Sequence, residues 1–418
     1  MLSLTSVIAI NCECILIMED KNSIIDANHL YQAYLKSREG SAWKPQVQDY
    51  RSHYLLEIVK VQKELKDQTY KSHKGSEFII HERGKIRYIR SSPFYDRVVR
   101  RDLCDNILIP RLTKYLIHDN GASVKGKGIS FTRRRFEQHL HEYYRKFGNN
   151  GYILLIDFSK YYDNIRHDKL KEKISKHITD DYTLWLLDVI LDNFKVDVSY
   201  MTDEEYNNCM NDKFDSNAYQ SIDKSKLTKE KFMHKSCGIG DQTSQIASIF
   251  FPTRIDNYCK IVKGIRGYGR YMDDTYIISN DKEFLHKIVK EISEIAKDMG
   301  IFINEKKTRI CRLDQYFTWL QMRYRLTDSG HLIIKINPKR VTAERRRLKK
   351  LAKKVDNGEI PYKMVENSYK SWIGNYHKYM SNQQLKHMND LYNELFIDPF
   401  LKGEYYNGGN SNLSKGRC

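Results

Sequence analysis

The stretch Gly267-Tyr268-Gly269-Arg270-Tyr271-Met272-Asp273-Asp274-Thr275-Tyr276-Ile277-Ile278-Ser279 sets two adjacent carboxylates between two runs rich in aromatic and β-branched residues. Such runs favour extended backbone, so the stretch reads as strand, tight turn, strand. Holding two negative charges together at a hairpin tip is unfavourable unless a cation neutralises them, and a divalent metal suits oxygen donors of this kind. An ordinary Asp-rich turn fits the same residues, so the decision rests on the rest of the chain.

The chain has 418 residues with a formal net charge of +18, enough length for more than one core and a charge excess that attracts polyanions. Thirty tyrosines and an aromatic content of 12% add stacking surfaces, which favours nucleic acid over an acidic membrane as the partner. A hydrophobic content of 40% excludes a disordered chain. The eight cysteines are scattered without a C-x-x-C pair, which argues against zinc sites and a disulfide framework and fits reduced thiols in a cytoplasmic protein. Residues 1–22 read as an upstream extension. The segment from Met1 to Met18 is apolar but lacks a basic start and is broken by Asn11 and Glu13, so we expect no signal peptide and no membrane span, with Met18 opening the working chain.

Several stretches point toward phosphate chemistry. Tyr152-Ile153-Leu154-Leu155-Ile156 is an apolar run ending in Asp157, the pattern of a buried strand that delivers a carboxylate at its tip; Asp157 also suits the cap of a following helix. Seven basic residues against one acid lie between Arg83 and Arg101, and Lys85 and Arg87 leave the same face of one strand of a hairpin turning at Arg83-Gly84. Gly238-Ile239-Gly240-Asp241-Gln242-Thr243-Ser244-Gln245 is a glycine-rich turn entering a helix, where backbone can approach a ligand. Between Lys335 and Lys354, ten basic residues face one acid, a phosphate-binding pattern that a solvated helix face would share. The pattern predicts helices over 23–66, 97–116, 131–145, 171–194, 282–299 and 361–396, and a hairpin joining 316–320 to 331–336. Residues 195–230, with eight acids and five lysines, read as a surface insertion, either a solvated loop or a docking point for a protein partner. Residues 401–418 read as a flexible tail.

Asp157, Asp273 and Asp274 on neighbouring strands would suit two Mg²⁺ ions for nucleotidyl transfer. With this set in order, the chain resembles reverse transcriptases of the bacterial retroelement type over roughly residues 25–395. Asp157-Phe158-Ser159-Lys160-Tyr161-Tyr162-Asp163 resembles the first palm motif, Gly238–Gln245 the second, and Tyr271-Met272-Asp273-Asp274 the third. Asn304-Glu305-Lys306-Lys307-Thr308 is similar to the fourth, and Phe317-Thr318-Trp319-Leu320 to the primer-grip hairpin.

The resemblance implies an α+β right-hand polymerase: mixed α/β fingers at 23–150, an antiparallel-sheet palm packed on helices at 151–334, and a helical thumb at 335–400. It implies metal ligation by Asp157, the Phe158 carbonyl and Asp273 with Asp274 assisting, two Mg²⁺ ions (Mn²⁺ as a substitute), and Lys307, or in competition Lys306, as proton donor to pyrophosphate. Lys85 and Arg87 would hold the incoming triphosphate, Gln245 would line the nucleotide pocket, and Tyr162 would exclude a ribose 2′-OH. Phe317, Trp319 and Leu320 would grip the primer. Implied partners are a structured RNA template, a DNA or RNA primer with its cDNA, and dNTPs, with an accessory protein or a second copy of the chain also open. The second motif reads Ile239-Gly240-x-x-x-Ser244-Gln245 rather than the common Q-G-x-x-x-S-P, a form seen in diversity-generating retroelements and in classes that include antiphage-defence enzymes. Two other functions stay open: an RNA-binding protein that polymerises little, and an RNA-making polymerase, against which Tyr162 argues.

Overall fold

The computed structural model describes residues 21–82, 85–216 and 222–397, so most of the expected extension, the expected Arg83-Gly84 turn and the tail lie outside the described residues. The chain divides into two units: one runs to Tyr143 and resumes over Tyr152–Ile310, and the other comprises Tyr144–Gly151 and the chain from Cys311 onward.

The first unit opens with helices α1 (Ala27–Arg38), α2 (Pro45–Ser52) and α3 (Tyr54–Lys66). Gly40, at φ +67°, and Pro45, at the first turn of α2, separate them, as a left-handed position and a missing N–H dictate. Only one face of α3 is buried, through Ile58, Val61 and Leu65; Leu55, Leu56 and Val59, part of the same apolar pattern, stay more than 60% exposed. Strands β1 (Ser76–Glu82) and β2 (Lys85–Ser91) pair antiparallel from Ser76↔Ser91 to Glu82↔Lys85. Helix α4 (Phe94–Leu103) continues into a π-helical stretch, Cys104–Leu108, where Pro110, lacking an N–H, interrupts the ladder. Helix α5 covers Ile129–Phe147.

Strand β3 (Tyr152–Ile156) leads to the short helix α6 (Tyr161–Asn164). The single helix expected over 171–194 is two, α7 (His167–Ser175) and α8 (Asp181–Asp192), because Asp180 caps α8 by accepting from the Thr183 N–H and hydroxyl. The stretch read as an insertion has its own small core. Strands β4 (Val196–Asp197) and β5 (Phe232–Met233) pair, helix α9 (Asp203–Asn211) starts with a capping box at Thr202, and Val196, Val198, Phe214 and Met233 pack together. Helices α10 (Gln242–Phe250) and α11 (Thr253–Asn257) precede strands β6 (Tyr268–Tyr271) and β7 (Asp274–Ser279), and α12 (Lys282–Asp298) follows. With β8 (Arg309–Arg312) these strands form a sheet ordered β6-β7-β3-β8. Both faces are covered, which is why β3 is apolar throughout. Leu154, Ile156, Tyr268 and Ile277 join the core that includes Leu285, Ile288 and Ile292 of α12, while Tyr276 meets Phe136 and His139 of α5. The free edge of β6 is closed by a loop: Arg270 N–H donates to Asp119 O and Gly121 N–H to Arg270 O.

In the second unit, β9 (Phe317–Trp319), β10 (Met322–Leu326) and β11 (Leu332–Ile336) form a sheet ordered β11-β10-β9. This corrects the expected hairpin, since β10 stands between the two segments paired in that expectation. Leu320 and Gln321 both have positive φ, the two-residue turn that joins twisted strands. Helices α13 (Pro338–Asp356), α14 (Tyr362–Tyr376) and α15 (Asn382–Phe396) pack around Leu348, Val365, Tyr369, Met388 and Tyr392. Among the described residues, no helix is long and apolar enough to cross a membrane. The helices and antiparallel sheets together make the α+β class that was expected.

Two buried polar arrangements govern the stability of the first unit. Arg270 and Asp256 are 1% and 0% exposed and pair at 2.6 Å. Removing one partner strands the other charge, so Asp256→Ala is expected to destabilise the fold by about 3–5 kcal/mol, read from urea unfolding midpoints. His139 donates or accepts at 2.8 Å with the Tyr276 hydroxyl, and burial lowers its pKa to about 4. The unfolded chain therefore binds a proton that the folded chain refuses, and stability falls as pH drops from about 6.5 toward 4. Asp119 adds a second loss below that: burial pushes it up, but hydrogen bonds from Arg135 and Lys260 outweigh burial and hold it at about 2. His139→Gln should shrink the loss between pH 6.5 and 4 in urea titrations, with the remainder set by His167, which burial also lowers to about 4, and should leave the lower loss in place.

Candidate active site

Asp157 stands immediately after β3, and the segment from Phe302 to Thr308 grips the backbone around it. Ser159 N–H donates to Phe302 O at 2.7 Å, and Asn304 N–H donates to Asp157 O at 2.7 Å. These two bonds flank the bridge Phe158↔Ile303, so the Phe158 carbonyl faces away from that partner strand. The same segment supplies Lys307, whose Nζ donates to Asp157 Oδ2 at 2.9 Å. Lys307 is 52% exposed and Asp157 22%, so this is a cation resting on a carboxylate at the mouth of the site.

Tyr271 pairs with Asp274, leaving Met272-Asp273 as the turn between β6 and β7. β3 and β7 pair antiparallel with Ile156 opposite Thr275, so Asp157 and Asp274, the residue just beyond each, lie at the same end of that pair. The fold thus brings the acidic pair and Asp157 to one end of one sheet.

Met272 has φ +55°, a left-handed conformation that costs a non-glycine residue about 1–2 kcal/mol. Its surroundings hold it there. Arg270 Nη1 donates to Met272 O at 3.0 Å, while Nε and Nη2 engage Asp256 and Nη2 also donates to Ile249 O at 2.8 Å. The Met272 sulfur lies 3.8 Å from both the Tyr162 hydroxyl and Ser248 Oγ.

Tyr162, on α6, therefore sits against the hairpin turn. Ser248 Oγ of α10 lies 3.2 Å from its hydroxyl, and Cys237 N–H donates to its backbone carbonyl at 2.9 Å. Burial, with the Ser248 hydrogen bond and Arg87 acting against it and Asp273 adding to it, pushes the Tyr162 hydroxyl up to about 12. The ring is neutral at physiological pH, and Arg87 is near enough for its charge to be felt there. Gln245 is half-buried on α10, one turn before Ser248, and its carbonyl accepts from Ser248 Oγ at 2.9 Å. The glycine-rich turn before α10 is shaped by necessity: Gly240 has φ +92°, and a Cβ on Gly238 would come within 2.3 Å of the Phe194 ring. Lys85 opens β2, and its side chain lies outside the described residues. Phe317, Trp319 and Leu320 belong to the second unit, where all three are buried and Phe317 stacks on Tyr324 at 5.9 Å.

Carboxylates and a backbone carbonyl form an oxygen-only donor set, which fits a hard divalent cation. The acids are not preassembled around one point: among the described residues, no group of three or more His, Cys, Asp or Glu is gathered to hold a metal ion.

Residues that the sequence did not single out complete the site. Arg270 and Asp256 anchor the turn, and Ser248 supports Tyr162. Arg100 of α4, 1% exposed, bonds Asp241 Oδ2 at 2.6 Å at the start of α10. The cap at Asp241 was readable, since Asp followed three residues later by Ser244 precedes an apolar run and the Ser244 N–H donates to its Oδ1.

The family described as "Reverse transcriptase (RNA-dependent DNA polymerase)" matches residues 74–324, more than half of the chain and a span that contains every site residue named above. Similar solved structures include apo telomerase from Candida Tropicalis (TM-score 0.43, 14% identity, 64% of this chain and 49% of that one). Telomerase from Candida albicans with a TWJ fragment of telomeric RNA gives a TM-score of 0.41 at 15% identity, covering 81% of this chain and 62% of that one. The Candida Tropicalis enzyme truncated from its C-terminal domain gives 0.41 at 14%, covering 68% and 60%. The chain thus spans about half to three-fifths of the length of these proteins. No curated protein matches it in sequence. From the family match over the segment that carries the strand-end acid and the acidic hairpin, the chain belongs to the reverse transcriptase family.

Proposed function

We propose that the chain is an RNA-templated DNA polymerase that extends a primer with deoxynucleotides by nucleotidyl transfer. The observation that carries this reading is the antiparallel pairing of β3 and β7, which brings Asp157 and the acidic turn to one end of one sheet, with Tyr162 packed beside the turn. Asp157, the Phe158 carbonyl and Asp273, with Asp274 assisting, would hold two Mg²⁺ ions or Mn²⁺ in their place, and ions bound there activate the attacking hydroxyl and stabilise the leaving pyrophosphate.

The chain's own side chains do the rest. Arg87 and Lys85 hold the incoming triphosphate from the fingers, and Gln245 lines the pocket. Lys307 rests on Asp157 until the site fills, then turns its ammonium to the pyrophosphate and gives up a proton there; Lys306 is its neighbour and competitor. The Tyr162 ring occupies the volume a ribose 2′-OH needs, selecting deoxynucleotides by exclusion. Phe317, Trp319 and Leu320 support the primer. Helix α13 directs Lys339, Arg345, Arg346, Lys349, Lys350 and Lys353 to its exposed side, a surface suited to phosphates of a structured RNA template or its cDNA. In this reading, fingers, palm and thumb correspond to 23–150, 151–334 and 335–400, and the protein works in the cytoplasm. The Ser244-Gln245 form of the second motif favours a bacterial retroelement setting, either antiphage defence or diversification; a template and variable repeat pair beside the gene would decide for diversification.

In primer extension on an RNA template, Asp273→Ala and Asp274→Ala are each expected to lower incorporation by at least about 100-fold, and parental activity in either would refute the mechanism. RNA binding without incorporation by the parental chain on any primer-template would instead mark a binding protein. Tyr162→Ala is expected to lower the preference for dNTP over rNTP by about 10–100-fold, measured as the ratio of kcat/KM values. An unchanged ratio would remove Tyr162 from the gate.

A further inference from the structure

The module between α8 and α10 grips the helix that carries Tyr162. Asn164, 0% exposed, exchanges two hydrogen bonds with the backbone of Phe214: Phe214 N–H donates to Asn164 Oδ1 at 2.8 Å, and Asn164 Nδ2 donates to Phe214 O at 3.1 Å. The same Nδ2 lies 3.2 Å from Ser159 O and 3.1 Å from Lys160 O, so one amide ties the module to two successive carbonyls just before α6. Next to it, the Asp163 carboxylate accepts from Ser216 Oγ at 2.8 Å and Ser216 N–H at 3.2 Å. Buried polar groups matched this fully define one geometry, because any shift leaves donors or acceptors unpaired.

The module is itself stiffened against the strand beside α6. Lys235, 0% exposed, donates to Cys209 O at 2.7 Å and Asp212 O at 2.9 Å, the carbonyls at the end of α9 where a cation is favoured. From Lys235 the chain runs antiparallel to the segment after α6, with Ser236 N–H donating to Ile165 O at 3.1 Å and Cys237 N–H to Tyr162 O at 2.9 Å. Helix α6 is only four residues long, too short to hold its own orientation, and it sits between these two supports.

We infer that the module formed by residues 195–216 and 222–235 is a brace for the sugar gate, and that Asn164 and Asp163 are positioning residues that set dNTP selectivity by fixing where the Tyr162 ring stands. The inference rests on the reading of Tyr162 as the gate. Loosening the brace lets the ring yield to a 2′-OH while the acids on β3 and the β6–β7 turn stay in place, so selectivity changes and deoxynucleotide turnover does not.

The test is steady-state incorporation of matched dNTP and rNTP by the full chain, with Tyr162→Ala measured alongside. Asn164→Ala should lower the dNTP/rNTP ratio of kcat/KM about 10-fold, through a lower KM for rNTP, with kcat for dNTP within about threefold of the parent. If Tyr162→Ala relaxes the ratio and folded Asn164→Ala does not, the brace is overturned and the gate stands. If Asn164→Ala lowers turnover of both sugars equally, the contact is merely structural and the proposal fails. If Tyr162→Ala also leaves the ratio unchanged, gate and brace fall together. Should Asn164→Ala not fold, Asp163 decides: Asp163→Asn keeps an oxygen for Ser216 and should hold the ratio near the parent, whereas Asp163→Ala should lower it, and equal ratios in the two would overturn the proposal.

Discussion

The acidic turn stands where it does because Arg270 is buried against Asp256. Taking both charges out of water is unfavourable, and the pair persists only because the guanidinium spends its N–H groups well: on the carboxylate, on Ile249 O at the end of α10, and on Met272 O in the turn itself. The Tyr268 hydroxyl donates to the remaining side of Asp256 at 2.6 Å. A lysine could not replace this arginine, since one ammonium cannot face a carboxylate and two carbonyls lying in different directions. The pair also holds Met272 in its left-handed conformation, so the position of two half-buried acids is fixed by one ion pair that water does not reach.

That rigidity explains how the site can tolerate its own charge. Three carboxylates meet at one end of the sheet, and the chain answers with Lys307 on Asp157. The ammonium is half-exposed, a position from which it can leave at small cost.

Much of this was legible because it follows from period and punctuation. An apolar run ending at Asp157 must be a strand with an acid at its tip, and the aromatic and β-branched residues around Asp273-Asp274 leave little choice but a hairpin. The unread parts depend on side chains far apart in sequence, for which no periodic signal exists. Nothing about Ser248 announces that it faces Tyr162, 86 positions away. Local signals misled where two explanations shared a pattern: Leu55, Leu56 and Val59 extend the apolar period of α3 yet face outward, and the helical spacing over 171–194 hid the break that Asp180 imposes. Strand β10 was missed although Met322–Leu326 alternates apolar residues with arginine, the period of a half-buried strand.

Helix α10 joins these elements, and its sequence explains what the Ser-Gln form does in this chain. Its first residue is Gln242, so Gln245 supplies the first N–H that can close a helical turn, and it does so on Asp241 O at 3.0 Å. Proline at that position, as in the common form, has no N–H and would forfeit this bond. Here the bond holds Asp241 as the cap, and Asp241 is the residue through which Arg100 ties helix α4 to α10. The carbonyl of the same Gln245 accepts from Ser248, which touches both Tyr162 and Met272. A glutamine in place of proline therefore does more than alter a pocket wall: through its backbone it couples the cap of α10 to the ring beside the acidic turn.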